Sequence, residues 1–239
     1  NSNTGVTLSG NATAATLDLT DGLLTTGANT ITVASTGSIL NASADSYVNG
    51  KLARVLTNTN DFTYPVGKGG VYSPVVFTYA AAPGSRTVTI EQFETGTPFS
   101  NSASLATFGS RYWNVTQSAT GIAYRVGLND GGNSGDVPSG ASVVILRKDN
   151  ITITSNATNY SAPNYTNVSA FAASNASNDV SLGVNNIPLT ITGITGINTK
   201  IYDGTAIATA IGTPILVGTI LPGDTVTLGG TPVYTFDTK

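Results

Sequence analysis

Between residues 129 and 136 the chain reads Asn-Asp-Gly-Gly-Asn-Ser-Gly-Asp, which puts two carboxylates, two amide oxygens and turn-forming glycines in one loop. Calcium takes about six to eight oxygens from a loop flexible enough to wrap it, and Asp130, Asn133 and Asp136 are the ligands this one would supply. The spacing departs from an EF-hand and lacks its closing glutamate, and the same residues also suit a solvated hairpin turn. No cofactor is expected otherwise; calcium at this loop is the one candidate. A second group is aromatic: Tyr112, Trp113 and Tyr124 could stack against a sugar ring. Trp113, the single tryptophan, reads equally as a core anchor, because burying an indole removes about 200 Å² from water. Alternation along a strand points Tyr112 and Trp113 to opposite faces, so a shared platform would need a bulge.

Catalytic chemistry has little to work with. Histidine and cysteine are both absent, which removes His-dependent triads, thiol nucleophiles and His-ligated metals. Glu91 and Glu94 are the only glutamates, and at that spacing a strand turns them to opposite faces. A glycosidase pair would need a distant aspartate to complete it. Gly67-Lys68-Gly69-Gly70 lacks the phosphate-loop spacing and no helix follows it. The expectation is a protein that is not an enzyme.

Composition narrows the fold. Hydrophobic residues make up 40% of the 239, but charged residues only 10%, against about 25% in typical globular chains. The polar surface must come from Thr, Ser, Asn and Gly, which favour strands and turns over helices. An all-β fold follows. The net charge of −3 is spread thinly, with no basic stripe for nucleic acid. No apolar run reaches the roughly 18 residues of a spanning helix. Methionine is also absent and the chain opens at Asn1, which reads as a processed chain or an excised piece.

Three segments are expected. In 1–45, Val6/Leu8, Leu17/Leu19, Ile31/Val33 and Ile39/Leu40 alternate with Gly/Asn corners, the pattern of either short solenoid rungs or a β-meander. Residues 46–184 read as a β-sandwich with its lead-in strands. Ser46–Pro74 forms the junction, with alternation over Tyr47–Leu56 and again at Phe62, Tyr64 and Val66. Beyond it, 75–79 and 86–90 read as a hairpin, followed by strands around Trp113, Tyr124–Leu128, Val143–Leu146 and Val180–Gly183. Residues 187–239 form a third, partial β unit, with strands expected at Lys200–Thr205 and Thr225–Leu228.

Two sets of motifs carry a resemblance. KIYDGTAIA (200–208), Gly218 and the later PGDTVTL resemble the YDG or MBG repeat of very large bacterial surface adhesins. Those repeats are longer, which implies an incomplete copy here. GLLTTGANTITV, SYVNGKLARV, FTYPVGKGG, RYWNV and the closing SLG are similar to large extracellular proteins of Bacteroidota, commonly exported by type-nine secretion and acting in adhesion or gliding. The resemblance implies a structural or adhesive segment of a long cell-surface protein or filament, with a carbohydrate-binding module as the alternative. Its expected partners are neighbouring domains of a longer chain, other copies joined by β-augmentation, and surface or glycan ligands. No catalytic residue comes with it.

Overall fold

The computed structural model describes residues 5–100, 105–107, 110–129, 143–150, 152–161, 164–172, 175–185, 189–201, 203–218, 225–230 and 233–235. The fold is all-β, with no helix among the described residues. The chain divides into two compact units, the larger running to Asn185 and the smaller comprising chiefly Asn186–Lys239.

The larger unit opens with β1 (Val6–Thr7), β2 (Ala12–Asp18), β3 (Leu24–Leu40), β4 (Val48–Leu56), β5 (Phe62–Tyr64), β6 (Val66–Lys68) and β7 (Val71–Tyr72). β1 and β2 both run parallel to β3, β3 parallel to β4, and β4 parallel to β6. Val6, Leu24, Val48 and Val66 therefore stand in one column, 18, 24 and 18 residues apart along the chain. Successive parallel turns make a solenoid, whereas a meander would pair antiparallel. Each apolar pair of the sequence is one side of a turn rather than a whole rung. Leu17 aligns with Ile39, and Ala12 with Ile31 and Leu52.

Side chains stitch the corners where the ladder breaks. The β3–β4 register jumps between Thr25↔Asn49 and Thr30↔Lys51. β3 uses Thr26–Asn29 for this corner, with Gly27 at φ 60°, while β4 turns on Gly50 alone at φ 131°. Thr26 is fully buried, and its Oγ1 accepts the Lys51 N–H at 2.8 Å. One turn earlier, Asn29 donates to the Leu8 carbonyl at 3.0 Å and Asn11 Oδ1 accepts the Thr30 N–H at 2.9 Å. Backbone groups that cannot reach a neighbouring strand are thus satisfied locally.

The run expected as one strand at Phe62–Val66 is split at Pro65. Proline has no N–H to give a ladder, and its carbonyl instead accepts the Val48 N–H at 2.9 Å. β5 and β6 then go to different neighbours. Gly69 and Gly70, at φ 61° and 86°, close the β6–β7 hairpin with two left-handed residues. Gly67-Lys68-Gly69-Gly70 is a strand end and its turn.

The chain continues through β8 (Val75–Tyr79), β9 (Arg86–Phe93), β10 (Leu105–Thr107), β11 (Tyr112–Gln117), β12 (Tyr124–Asn129), β13 (Val143–Asp149), β14 (Thr152–Ser161), β15 (Asn164–Asn167) and β16 (Ser177–Asn185). One layer runs β4-β9-β11-β16-β13 and the other β15-β12-β8-β5. β14 serves both, pairing with β13 through Ala157 and with β15 from Thr158 onward. Leu52, Ile90, Trp113, Val115, Ile145 and Val180 of the first layer share one core with Phe77, Tyr124, Val126 and Leu128 of the second.

Two expectations are corrected here. Residues 75–79 and 86–90 are not a hairpin, because β8 pairs with β5 and β12 while β9 pairs with β4 and β11. The connection carrying Pro83 and Gly84 (φ 73°) crosses between layers, so the apolar sides of both strands enter the same core. Nor does a domain boundary fall at 45/46. β4 pairs parallel with β3 on one edge and antiparallel with β9 on the other, which joins solenoid and sandwich in one sheet.

Among its described residues the smaller unit holds three two-stranded ladders. β17 (Thr190–Thr192) pairs with β21 (Ile215–Val217), β18 (Gly196–Ile197) with β20 (Ala210–Ile211), and β19 (Ile207–Ala208) with β22 (Tyr234–Thr235). Ala208 is buried, while Ile191, Ile201, Ile207 and Val233 stay exposed. Among the described residues of 200–205 and 225–228 none is in a strand, where strands were expected. At the first, Asp203 Oδ1 accepts the Thr205 N–H at 2.9 Å, a local bond that takes the place of a ladder.

Candidate functional site

Trp113 and Tyr124 are corrected from sugar platform to core. Trp113 is 1% exposed and donates its indole N–H to the Ser73 carbonyl at 3.0 Å. Tyr124 is fully buried, stacked on Phe77 with ring centroids 5.1 Å apart and tilted against Phe171 at 6.0 Å. Burial pushes its phenol up to about 12, against the opposing pull of Arg147. Neither ring has a face open to a ligand. Tyr112 is half-buried on the opposite face of β11, as alternation requires, and stacks on its ladder neighbour Phe93 at 4.7 Å and 8°. The three rings do not converge.

Asp130, Asn133 and Asp136 lie outside the described residues. The two glutamates have separate surroundings. Glu94 pairs with Arg111 at 2.8 Å. Glu91 is half-buried on β9; burial raises its carboxyl pKa and the nearby Lys51 and Lys68 offset this.

What the structure does bring together is a cleft of about 490 Å³ at the seam between solenoid and sandwich. Ile39 from the end of β3, Arg54 from β4, Asn60 and Asp61 just before β5, Phe62 and Thr63 of β5, and Tyr72 from β7 line it. Arg54 occupies the register position of Val33 and Ala14 in the two preceding turns. One of its terminal nitrogens donates to the Gly37 carbonyl at 2.7 Å, and the guanidinium lies over the Phe62 ring at 4.6 Å. Its Nε is buried and has no hydrogen-bond partner among the described residues. Asp61 accepts a hydrogen bond from the Thr78 hydroxyl. The cleft therefore combines a cation, half-buried aromatic surface and hydroxyl-binding polar groups.

Sequence reasoning passed over Arg54, although one signal was present. In the alternation of β4, Arg54 keeps step with Leu52 and Leu56, so a charge stands where the pattern calls for an apolar side chain. Nothing in the sequence says that Ile39 and Tyr72 would meet it.

A second arrangement lies in the smaller unit. Asp203 Oδ1 accepts from Lys200 Nζ at 2.8 Å, from the Thr205 N–H at 2.9 Å and from the Thr205 hydroxyl at 2.9 Å, with Gly204 at φ 78° completing the turn. Residues 184–239 match the YDG domain. The match covers Asn186–Lys239 of the smaller unit and the end of β16. No curated protein and no solved structure matches the chain. Within the YDG segment, the Lys200 hydrogen bond, then the Thr205 backbone and hydroxyl bonds, hold the Asp203 carboxyl down to about 2. Whatever this pairing adds to the turn is present above the unfolded carboxyl range near pH 4 and is lost as the pH falls through about 2. Carboxyl-carbon NMR should find Asp203 still ionised at pH 3, and Lys200→Ala should move its midpoint upward.

Proposed function

We propose that this chain is a structural and adhesive, non-catalytic segment of a long multidomain extracellular protein on a bacterial surface. The observation that carries the reading is the unbroken strand pairing from β1 to β16, which joins parallel turns and a two-layer sandwich without an intervening linker. Such a segment offers stiffness and display area through backbone hydrogen bonds, without disulfides. The YDG match over residues 184–239 supports the same reading through the resemblance of KIYDGTAIA to repeats of large surface adhesins. Separated glutamates and buried aromatic rings leave neither a carboxylate pair nor a stacking platform among the described candidate residues.

Antibodies against the chain, used for immunogold labelling of intact source cells and for immunoblots, test it. Labelled surface material and a band far above 24.2 kDa are expected. A cytosolic protein of about that mass would overturn the reading.

A further inference from the structure

We infer that the cleft between solenoid and sandwich is a binding site for a carboxylate-bearing sugar, a hexuronate or an acidic glycan that contains one. Its volume, about 490 Å³, lies in the range of small-ligand sites. Arg54 supplies the recognition. A guanidinium carries five donors in a planar fork suited to a carboxylate, and the Gly37 carbonyl takes one. The ion pairs formed among the described residues join Arg111 to Glu94, Arg147 to Asp149 and Lys200 to Asp203, and none includes Arg54. A cation held in place by a backbone carbonyl and an aromatic ring, and ion-paired to no carboxylate among the described residues, is arranged to receive one from outside.

The rest of the lining selects a sugar acid over other anions. The Phe62 ring carries the Arg54 guanidinium, and Tyr72, tilted against Tyr47 with ring centroids 5.6 Å apart, supplies half-buried ring surface for the C–H face of a pyranose, while Asn60 and Thr63 offer amide and hydroxyl partners for ring hydroxyls. Asp61 lines the same cleft and can accept from a sugar hydroxyl, but its charge disfavours a phosphate dianion more than a single carboxylate. The site lies within the larger unit and uses residues from β3, β4, β5 and β7 and from the segment before β5, so it exists only where solenoid and sandwich are joined.

This inference deepens the adhesive half of the proposed function and rests on it, while the two tests fail separately. The probe is an oligogalacturonate, titrated calorimetrically into the complete 239-residue chain and compared with its methyl ester and with poly-glutamate. Saturable binding to the uronate is expected, with the ester weaker by at least about tenfold, because a charge-assisted hydrogen bond contributes on that scale. Arg54→Gln should weaken binding by a similar factor. Since Arg54 also braces Gly37, the exposed Asn60→Ala serves as a second variant and should weaken binding a few-fold with an unchanged melting curve. Equal affinity for uronate and ester, equal affinity for poly-glutamate, or no saturation would each overturn the assignment. Surface labelling without uronate binding would sink this site and leave the proposed function standing; uronate binding by a cytosolic protein would do the reverse.

Discussion

Trp113→Ala should destabilise the larger unit by about 3–5 kcal/mol, the range for deleting a fully buried large aromatic side chain. Two losses combine. The indole fills the space between layers, packed in one cluster with residues of both. Its N–H also satisfies the Ser73 carbonyl at 3.0 Å, a buried acceptor that alanine would leave unpaired. Trp113→Phe separates the two, keeping most of the apolar volume but not the donor, and should cost about 1–3 kcal/mol. Urea melts followed by circular dichroism measure both. An exposed sugar platform would tolerate the alanine within about 0.5 kcal/mol, so a result that small would refute the burial described above.

Gly50→Ala should cost about 3 kcal/mol, which is large for a single methyl group. The residue sits at φ 131°, where a side chain is strained by about 1–3 kcal/mol whatever surrounds it. A Cβ there would also lie 2.1 Å from Thr26 Oγ1, the atom that accepts the Lys51 N–H. Thr26 is fully buried, so relieving the contact displaces the corner of one turn from the next. Thr26→Ala alone should cost about 1–2 kcal/mol through the lost acceptor. Combined with Gly50→Ala, it should cost clearly less than the two separate effects together, because the clash is removed. Trp113 emission follows the series, being the only tryptophan in the chain. Strict additivity would show that Thr26 and Gly50 do not meet.

The sequence was most informative where one physical effect set the pattern. Low charge with abundant Thr, Asn and Gly left no material for helices, and the alternation at Tyr112 and Trp113 put them on opposite faces as the structure does. The same alternation could not say which face was the core. That depended on Ser73 and on the second layer. The solenoid was half-visible for a geometric reason. Apolar pairs at Val6, Leu17, Ile31 and Ile39 looked irregularly spaced because they are alternate sides of turns about 18 to 24 residues long, as the register shows. Adjacency in sequence misled at β8 and β9, where two alternating runs with a Pro-Gly connection fit a hairpin and a layer crossing equally well. The cleft lay furthest beyond reach. It needs a solenoid corner at Ile39, a strand charge at Arg54 and a ring at Tyr72 to arrive together, and only the fold supplies that.

The double pairing of β4 bears on the order in which the chain acquires its structure. Its antiparallel partner β9 lies roughly thirty residues downstream, and β9 in turn pairs with β11, itself bound to β16 near residue 180. Contacts this distant close slowly, since the entropy of bringing the ends together comes before any gain from pairing. The parallel turns upstream have no hairpin of their own to nucleate them, so β4, once docked on β9, is their template. We therefore expect assembly to run from the sandwich back through β3 to β2, against the direction of translation. Pulse-labelled hydrogen exchange would show it as protection of β9 amides before those of β2. β2, synthesised before β9, would then become ordered after it, and its strand would wait unpaired until β3 had docked on β4.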